Sequence, residues 1–197
     1  MRPRLLFTHL ISLLCLTLAA RTNAAAEAIE PALAKSCQIC HGGELQLGDP
    51  PYSVPHLVHQ NAAYLTRALQ AYKSGARRNT VMQGVATRLS RQDIEALSSW
   101  FAGTRVKPPP PNSSGTIPEL VIAQCSACHG ETGLSSMPEV AVLSGQRADY
   151  LEHALQAYAS GERRDAVMPA LARPLTAADR AELAAYFSAS GALQSRP

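Results

Sequence analysis

Between Asn61 and Ser74 the apolar residues Tyr64, Leu65, Ala68, Leu69 and Tyr72 advance in alternating steps of one and three, which gathers them on one face of a helix. Gly75 follows, where a left-handed C-terminal cap belongs. The same pattern returns 86 residues later, and aligning 60–102 with 146–188 gives 20 identities in 43 pairs. The shared residues include Tyr64-Leu65 with Tyr150-Leu151, Ser74-Gly75 with Ser160-Gly161, Arg77-Arg78 with Arg163-Arg164, and Val81-Met82 with Val167-Met168. Ser90-x-x-Asp93 and Thr176-x-x-Asp179 predict capping boxes that open the last helix of each copy, with Gly103 and Gly191 after those helices. Pro31 and Pro118 suit the first turn of a short helix at the head of each copy. No alternating pattern marks a strand, so the fold class expected is all-α, built as a tandem repeat.

The repeat divides the chain. Lys107-Pro108-Pro109-Pro110-Pro111-Asn112-Ser113-Ser114-Gly115-Thr116 lies between the copies, and its four prolines favour a stiff extended spacer. The expected organisation is a leader over 1–26, a first domain over 27–106, a Pro-rich linker over 107–117 and a second domain over 118–197. Each domain is small for a self-sufficient core, and a large buried cofactor would help to fill it. The leader has a basic start at Met1-Arg2-Pro3-Arg4, an apolar run from Leu5 to Ala20 and small residues at Ala24, Ala25 and Ala26. That is the layout of a secretory signal peptide cleaved after Ala24 or Ala26, with Cys15 inside the discarded part. The competing reading is an uncleaved anchor, which would hold the protein at the membrane periphery.

Charge narrows the partners. Without residues 1–26 the chain holds 15 basic and 15 acidic residues, which argues against nucleic acid. Residues 27–107 carry 9 basic and 6 acidic residues, and residues 119–197 carry 6 basic and 9 acidic, so the halves differ in sign.

Upstream of each aligned block stands one further match, Cys37-x-x-Cys40-His41-Gly42 with Cys125-x-x-Cys128-His129-Gly130, at an offset of 88. A Cys-x-x-Cys-His run suits covalent haem attachment: two thiols add across the two vinyl groups, and the adjacent histidine lies under the iron. Cys37 and Cys40 would hold one haem c with His41 as ligand; Cys125 and Cys128 would hold the other with His129. A structural zinc site would need the Cys pairs close together, yet 84 residues separate them. A thioredoxin-like dithiol needs a strand–helix context, and structural disulfides leave both histidines unexplained.

The sixth iron ligand decides what such a haem does. Past the leader the methionines are Met82, Met137 and Met168, of which Met82 and Met168 are repeat partners. A duplicated methionine after a duplicated haem motif points to thioether ligation, which raises the reduction potential. Met137 has no partner and is expected on the loop or in the pocket lining. His56 and His59 compete for the first iron, but their repeat partners are Val142 and Gly145. His153, paired with Arg67, reads as a solvated helix residue. Arg77, Arg78, Arg163 and Arg164 have two readings, as partners for haem carboxylates or as solvated surface pairs.

With those residues in view, each half resembles a class I cytochrome c domain, and the pair resembles the dihaem cytochrome c4 family and the related dihaem subunit of sulfide-oxidising flavocytochrome c. The features that carry the likeness are the two Cys-x-x-Cys-His-Gly motifs, Leu143-Ser144-Gly145-Gln146, Tyr158-Ala159-Ser160-Gly161 with Tyr72-Lys73-Ser74-Gly75, and Met82 with Met168. They run through nearly all of the chain after the leader. The resemblance implies two tandem helical haem domains, two covalently bound haem c groups near each other at a domain interface, and His/Met ligation of both irons. Three positions depart from the family. His59 stands where glycine is usual, Ala141 where proline usually offers its carbonyl to the proximal histidine, and the insert Glu44–Tyr52 replaces a glycine-rich loop.

The function expected is a periplasmic electron carrier, not an enzyme, because two six-coordinate irons leave no open position for substrate. Its partners would be redox proteins: a membrane cytochrome complex, a dehydrogenase or a terminal oxidase. The alternative is an electron-accepting dihaem subunit of a dehydrogenase complex of the flavocytochrome c type. A dihaem peroxidase would need an open iron and a longer chain.

Overall fold

A computed structural model describes residues 32–42, 46–48, 51–103 and 116–189. The leader, the prolines of the linker, Pro31 and Gly191 lie outside the described residues. The architecture is mostly helical. The first half contains α1 over residues 32–41, a hairpin of β1 (Gln46–Gly48) and β2 (Pro51–Ser53), then α2 (Ala62–Ser74), α3 (Thr80–Ala86) and α4 (Arg91–Gly103). The second half contains a π-helical turn (Val121–Cys125) that runs into α5 (Ser126–His129), then α6 (Ala148–Ser160), α7 (Met168–Ala172) and α8 (Ala177–Ala189). No helix among the described residues is long and apolar enough to cross a membrane.

Local chemistry fixes the helix ends. Gly75 and Gly161 adopt φ of 76° and 83° at the C-caps of α2 and α6. Both capping boxes form: Ser90 Oγ accepts from Asp93 N at 3.1 Å while Asp93 Oδ2 accepts from Ser90 N at 2.8 Å, and Thr176 and Asp179 repeat the exchange at 3.1 and 2.7 Å. The hairpin corrects the expectation of a chain without strands. It pairs Gln46 with Ser53, Leu47 with Tyr52 and Gly48 with Pro51, within the insert that departs from the family loop.

Each half has its own core, filled from the same positions. Leu65, Leu97 and Phe101 are buried with Ala34 in the first; Leu151, Leu183 and Phe187 are buried with Val121 in the second. Burying each such leucine or phenylalanine stabilises by about 1.5–3 kcal/mol. Ala34 precedes Cys37 by three positions, whereas Val121 precedes Cys125 by four. The π turn absorbs that extra residue, with Ser126 N donating to Val121 O, so the buried contact and the cysteines stay in step.

The halves meet about a pseudo-two-fold relation. Gln60 Nε2 donates to Val142 O at 2.9 Å, and Gln60 Oε1 accepts from Val142 N at 2.7 Å. Its repeat partner Gln146 does the same to His56, at 3.0 Å to the carbonyl and 2.9 Å from the amide. All four groups are buried, where an unmade hydrogen bond is costly. Arg77 and Arg163 form an antiparallel bridge across the same axis. Asn61, at the N-cap of α2, makes no capping bond because its side chain donates to Met137 O and Val140 O of the other half.

Candidate haem site

The cysteine–histidine motifs sit at the ends of helices that lead into one continuous cavity of about 1150 Å³. This exceeds the 300–1,000 Å³ of an ordinary small-molecule pocket. Cys37, Cys40 and His41 line it from the first half, and Cys125, Cys128 and His129 from the second. No disulfide joins these four cysteines. Burial pushes the Cys37 and Cys125 thiols up, so they are held neutral. Gly42 closes the first motif, where a Cβ would stand 2.6 Å from Gln38 O, so only glycine lets the chain leave the helix there.

Both histidines are oriented the same way. His41 Nδ1 donates to Pro55 O at 2.8 Å, and His129 Nδ1 donates to Ala141 O at 2.9 Å. A carbonyl can only accept, so Nδ1 carries the proton and Nε2 keeps its lone pair. Ala141 thus supplies the carbonyl expected of proline. Burial pushes both imidazoles below their usual range, which keeps them neutral and able to ligate a metal.

Met82 and Met168 line the same cavity and are half-buried. Met82 lies in the first turn of α3, where its N donates to the side chain of the N-cap residue Asn79 at 2.9 Å. Met168 opens α7, with its N bonded to Asp165 Oδ1 at 3.0 Å. Met137 is exposed on the loop at the cavity edge. His56 is buried and its backbone is bound by Gln146; His59 is half-buried and is absent from the cavity wall.

The arginine pairs split. Arg78 and Arg164 are exposed, but Arg77 and Arg163 are buried in the cavity wall, so the fully solvated reading fails for half of them. Arg77 Nη2 donates to Tyr150 Oη at 2.5 Å and lies 4.5 Å from the Tyr72 ring centre; Arg163 Nη2 donates to Tyr64 Oη at 2.9 Å and lies 4.4 Å from the Tyr158 ring. Burial would push the Tyr64 hydroxyl up, but Arg163 and Arg77 outweigh it and bring it down to about 8. Sequence reasoning missed this cluster and the Gln60/Gln146 exchange. The signal was present: these polar residues are identical in both copies, which a shared internal role explains better than a solvated surface.

His153 also departs from expectation. It stacks on Tyr52 of the hairpin, with ring centres 3.7 Å apart and planes at 12°.

This wall fits haem. It offers a pair of cysteines, a neutral imidazole fixed through Nδ1 and a methionine thioether in each half, with two buried guanidinium groups suited to anionic carboxylates. Among the described residues, no three or more His, Cys, Asp or Glu gather into one cluster.

Comparison with known proteins agrees. Residues 116–187 match the family model described as cytochrome c oxidase, cbb3-type, subunit III. The chain is 31% identical over 151 residues to a thiosulfate dehydrogenase electron acceptor of Thiomonas intermedia, covering 69% of this chain and 68% of the relative. It is 29% identical over 195 residues to cytochrome c4 of Pseudomonas aeruginosa, covering 89% and 94%. The crystal structure of reduced cytochrome c4 from Pseudomonas stutzeri superposes with a TM-score of 0.64 at 25% identity, covering 83% of this chain and 97% of that one. A duplicated helical unit, one cavity reached by two haem-binding motifs, and these likenesses lead to one conclusion: the chain belongs to the dihaem cytochrome c4 family, electron-transfer proteins with covalently bound haem c.

Proposed function

We propose that this chain is a periplasmic carrier of single electrons, with one haem domain over 27–106 and another over 118–197. Cys37 and Cys40 hold the first haem by thioether bonds, and His41 and Met82 ligate its iron. Cys125 and Cys128 hold the second, with His129 and Met168 as ligands. When bound, the haem iron supplies the one-electron couple. Every other contribution belongs to the chain. The Pro55 and Ala141 carbonyls fix Nδ1–H and aim Nε2 at the cavity. The methionines supply soft sulfur, which favours the reduced state. Arg77 and Arg163, both buried at the interface, bind the haem carboxylates, which a guanidinium can hold bidentately. The observation that carries this reading is the paired histidine geometry: two oriented, neutral imidazoles, one in each half, with a methionine of the same half in the cavity wall.

The decisive experiment is a haem count with a near-infrared spectrum on the isolated holoprotein. Two haems that survive denaturation, no titratable thiol, and a methionine–iron(III) band of two-haem strength are expected. One haem, extractable haem, or carbon monoxide binding to the reduced protein would refute the assignment.

A second reading is favoured by the likeness to the Thiomonas electron acceptor: this chain would take electrons directly from a dehydrogenase, one that oxidises thiosulfate. Reduction by a thiosulfate dehydrogenase at substoichiometric enzyme, with a complex detected by gel filtration, tests it. A mixture that stays oxidised with thiosulfate present would reject it.

A further inference from the structure

Each methionine loop is tied to the opposite half of the molecule, and the two ties differ in charge. Asn79 and Asp165 are repeat partners. Each turns a side-chain oxygen to the backbone of its methionine: Asn79 Oδ1 accepts from Met82 N at 2.9 Å, and Asp165 Oδ1 accepts from Met168 N at 3.0 Å and from Val167 N at 2.9 Å. Beyond that shared bond the two diverge. Asn79 Nδ2 donates to the Tyr52 hydroxyl at 2.9 Å, and the Tyr52 ring lies on His153 of the second half. Asp165 Oδ2 instead faces Arg67 of the first half at 3.9 Å. Arg67 and His153 are themselves repeat partners, so one helix position reaches across to the other half's methionine loop in both directions. The first tie is neutral and the second is ionic.

Arg67 does not cancel Asp165. Its side chain is 51% exposed and its guanidinium is shared with Glu139 at 3.7 Å, and the buried Arg163 also acts on Asp165. Asp165 is only 23% exposed, and its field therefore runs through protein more than through water. A fixed negative charge favours the oxidised, more positive iron, and a fixed positive charge favours the reduced one.

Resting on the ligand assignment above, we propose that Asn79 and Asp165 are positioning residues that also set the order of reduction, so that an electron entering either half comes to rest on the haem of the first. The exchange is one electron passed from the second haem to the first, with no proton or atom moved.

The test is a redox titration of the holoprotein in which each haem is followed by its own shifted methyl resonances. The first haem should be reduced first. Asp165→Asn keeps the oxygen that caps Met168 and removes the charge. The ratio of first-half to second-half reduction in the one-electron state should fall on the order of tenfold, as expected for removing one unit charge from a partly screened interior beside the site. Asn79→Asp should lower the ratio similarly by the opposite route, and the double exchange should reverse the order. A native protein whose second haem is reduced first would overturn the proposal. So would an unmoved ratio in both single variants with the methionine–iron band intact. Loss of that band from the native protein would overturn the ligand assignment, and this proposal with it.

Discussion

Leu65, Leu97 and Phe101 occupy in the first half the positions that Leu151, Leu183 and Phe187 occupy in the second, but the loops between the cysteine motif and the long helix have little in common. In the second half that loop turns back on itself, with Gly133 N donating to Gly130 O at 3.1 Å and Leu143 N to Gly133 O at 2.8 Å. In the first half it carries the hairpin and reaches outward. Ser53 donates to Asp149 Oδ2 through its N at 2.7 Å and its Oγ at 2.8 Å, and Tyr52 covers His153. Packing demands kept the cores alike, because a changed volume in a filled core costs several kcal/mol. The loops face the other half, where each had a different surface to meet.

The most severe way to break the likeness is to remove a ligand from one half only. Met82→Ala and Met168→Ala should each take about half of the methionine–iron(III) band, since one sulfur serves each iron. Near-infrared absorption of the oxidised protein reads the loss. A full-strength band in Met82→Ala would assign the first iron to another side chain, with His56, which lines the cavity, the first to examine.

Next in size is the exchange across the axis. Gln60→Ala strips partners from Val142 N and O, and Gln146→Ala strips them from His56 N and O. Each buried group left unpaired costs about 1–3 kcal/mol. Guanidinium unfolding should show comparable losses for the two variants. A large cost for one and none for the other would mean that the interface is held on one side only.

His59 sharpens the comparison from the backbone side. It adopts φ of 66°, as its partner Gly145 does at 75°. Both amides donate to the same place in their halves, His59 N to Phe101 O at 3.0 Å and Gly145 N to Phe187 O at 2.7 Å. A side chain in this left-handed region costs about 1 kcal/mol relative to glycine. His59→Gly should therefore stabilise the first half by about 1 kcal/mol, and Gly145→Ala should destabilise the second by a similar amount. Unchanged midpoints in both would show that the neighbouring contacts absorb the strain.

What could be read in the sequence was what is local or repeated. The helix over 61–74, the glycine caps, the capping boxes and the spacing from cysteine to histidine all depend on residues a few positions apart. The paired methionines followed from the duplication. The repeat even gave warning of His59, whose partner is a glycine. What escaped was contact between the copies. Nothing within twenty residues of Gln60 says that it will bond Val142, and an arginine pair has the same local appearance whether buried against tyrosines or solvated. The hairpin was missed because three-residue strands are too short to show alternation. The aspartate-for-asparagine change at 165 was visible in the alignment, but its meaning required knowing that both side chains cap the methionine.

The smallest expected effect lies at the hairpin contact itself. His153 is held below its usual range, first by burial and then by the charges of Arg77 and Arg163, against which Glu162 pulls upward. A histidine depressed in the folded state resists protonation there more than in the unfolded chain. The stability tied to its neutral form is therefore present above the ordinary histidine value near 6.5 and is lost as pH falls below it. The first half has this dependence at its methionine tie, and the second, tied through Arg67, has none in that range. His153→Phe keeps a ring for Tyr52 to lie on and removes the titration. Unfolding midpoints of the native holoprotein should decline from pH 7 to pH 5 slightly more steeply than those of the variant. Because His153 is half-exposed, the difference should be small and should shrink in high salt. Parallel curves at low salt would show that the stack tolerates the protonated ring, and the two ties would then differ in charge but not in their response to pH.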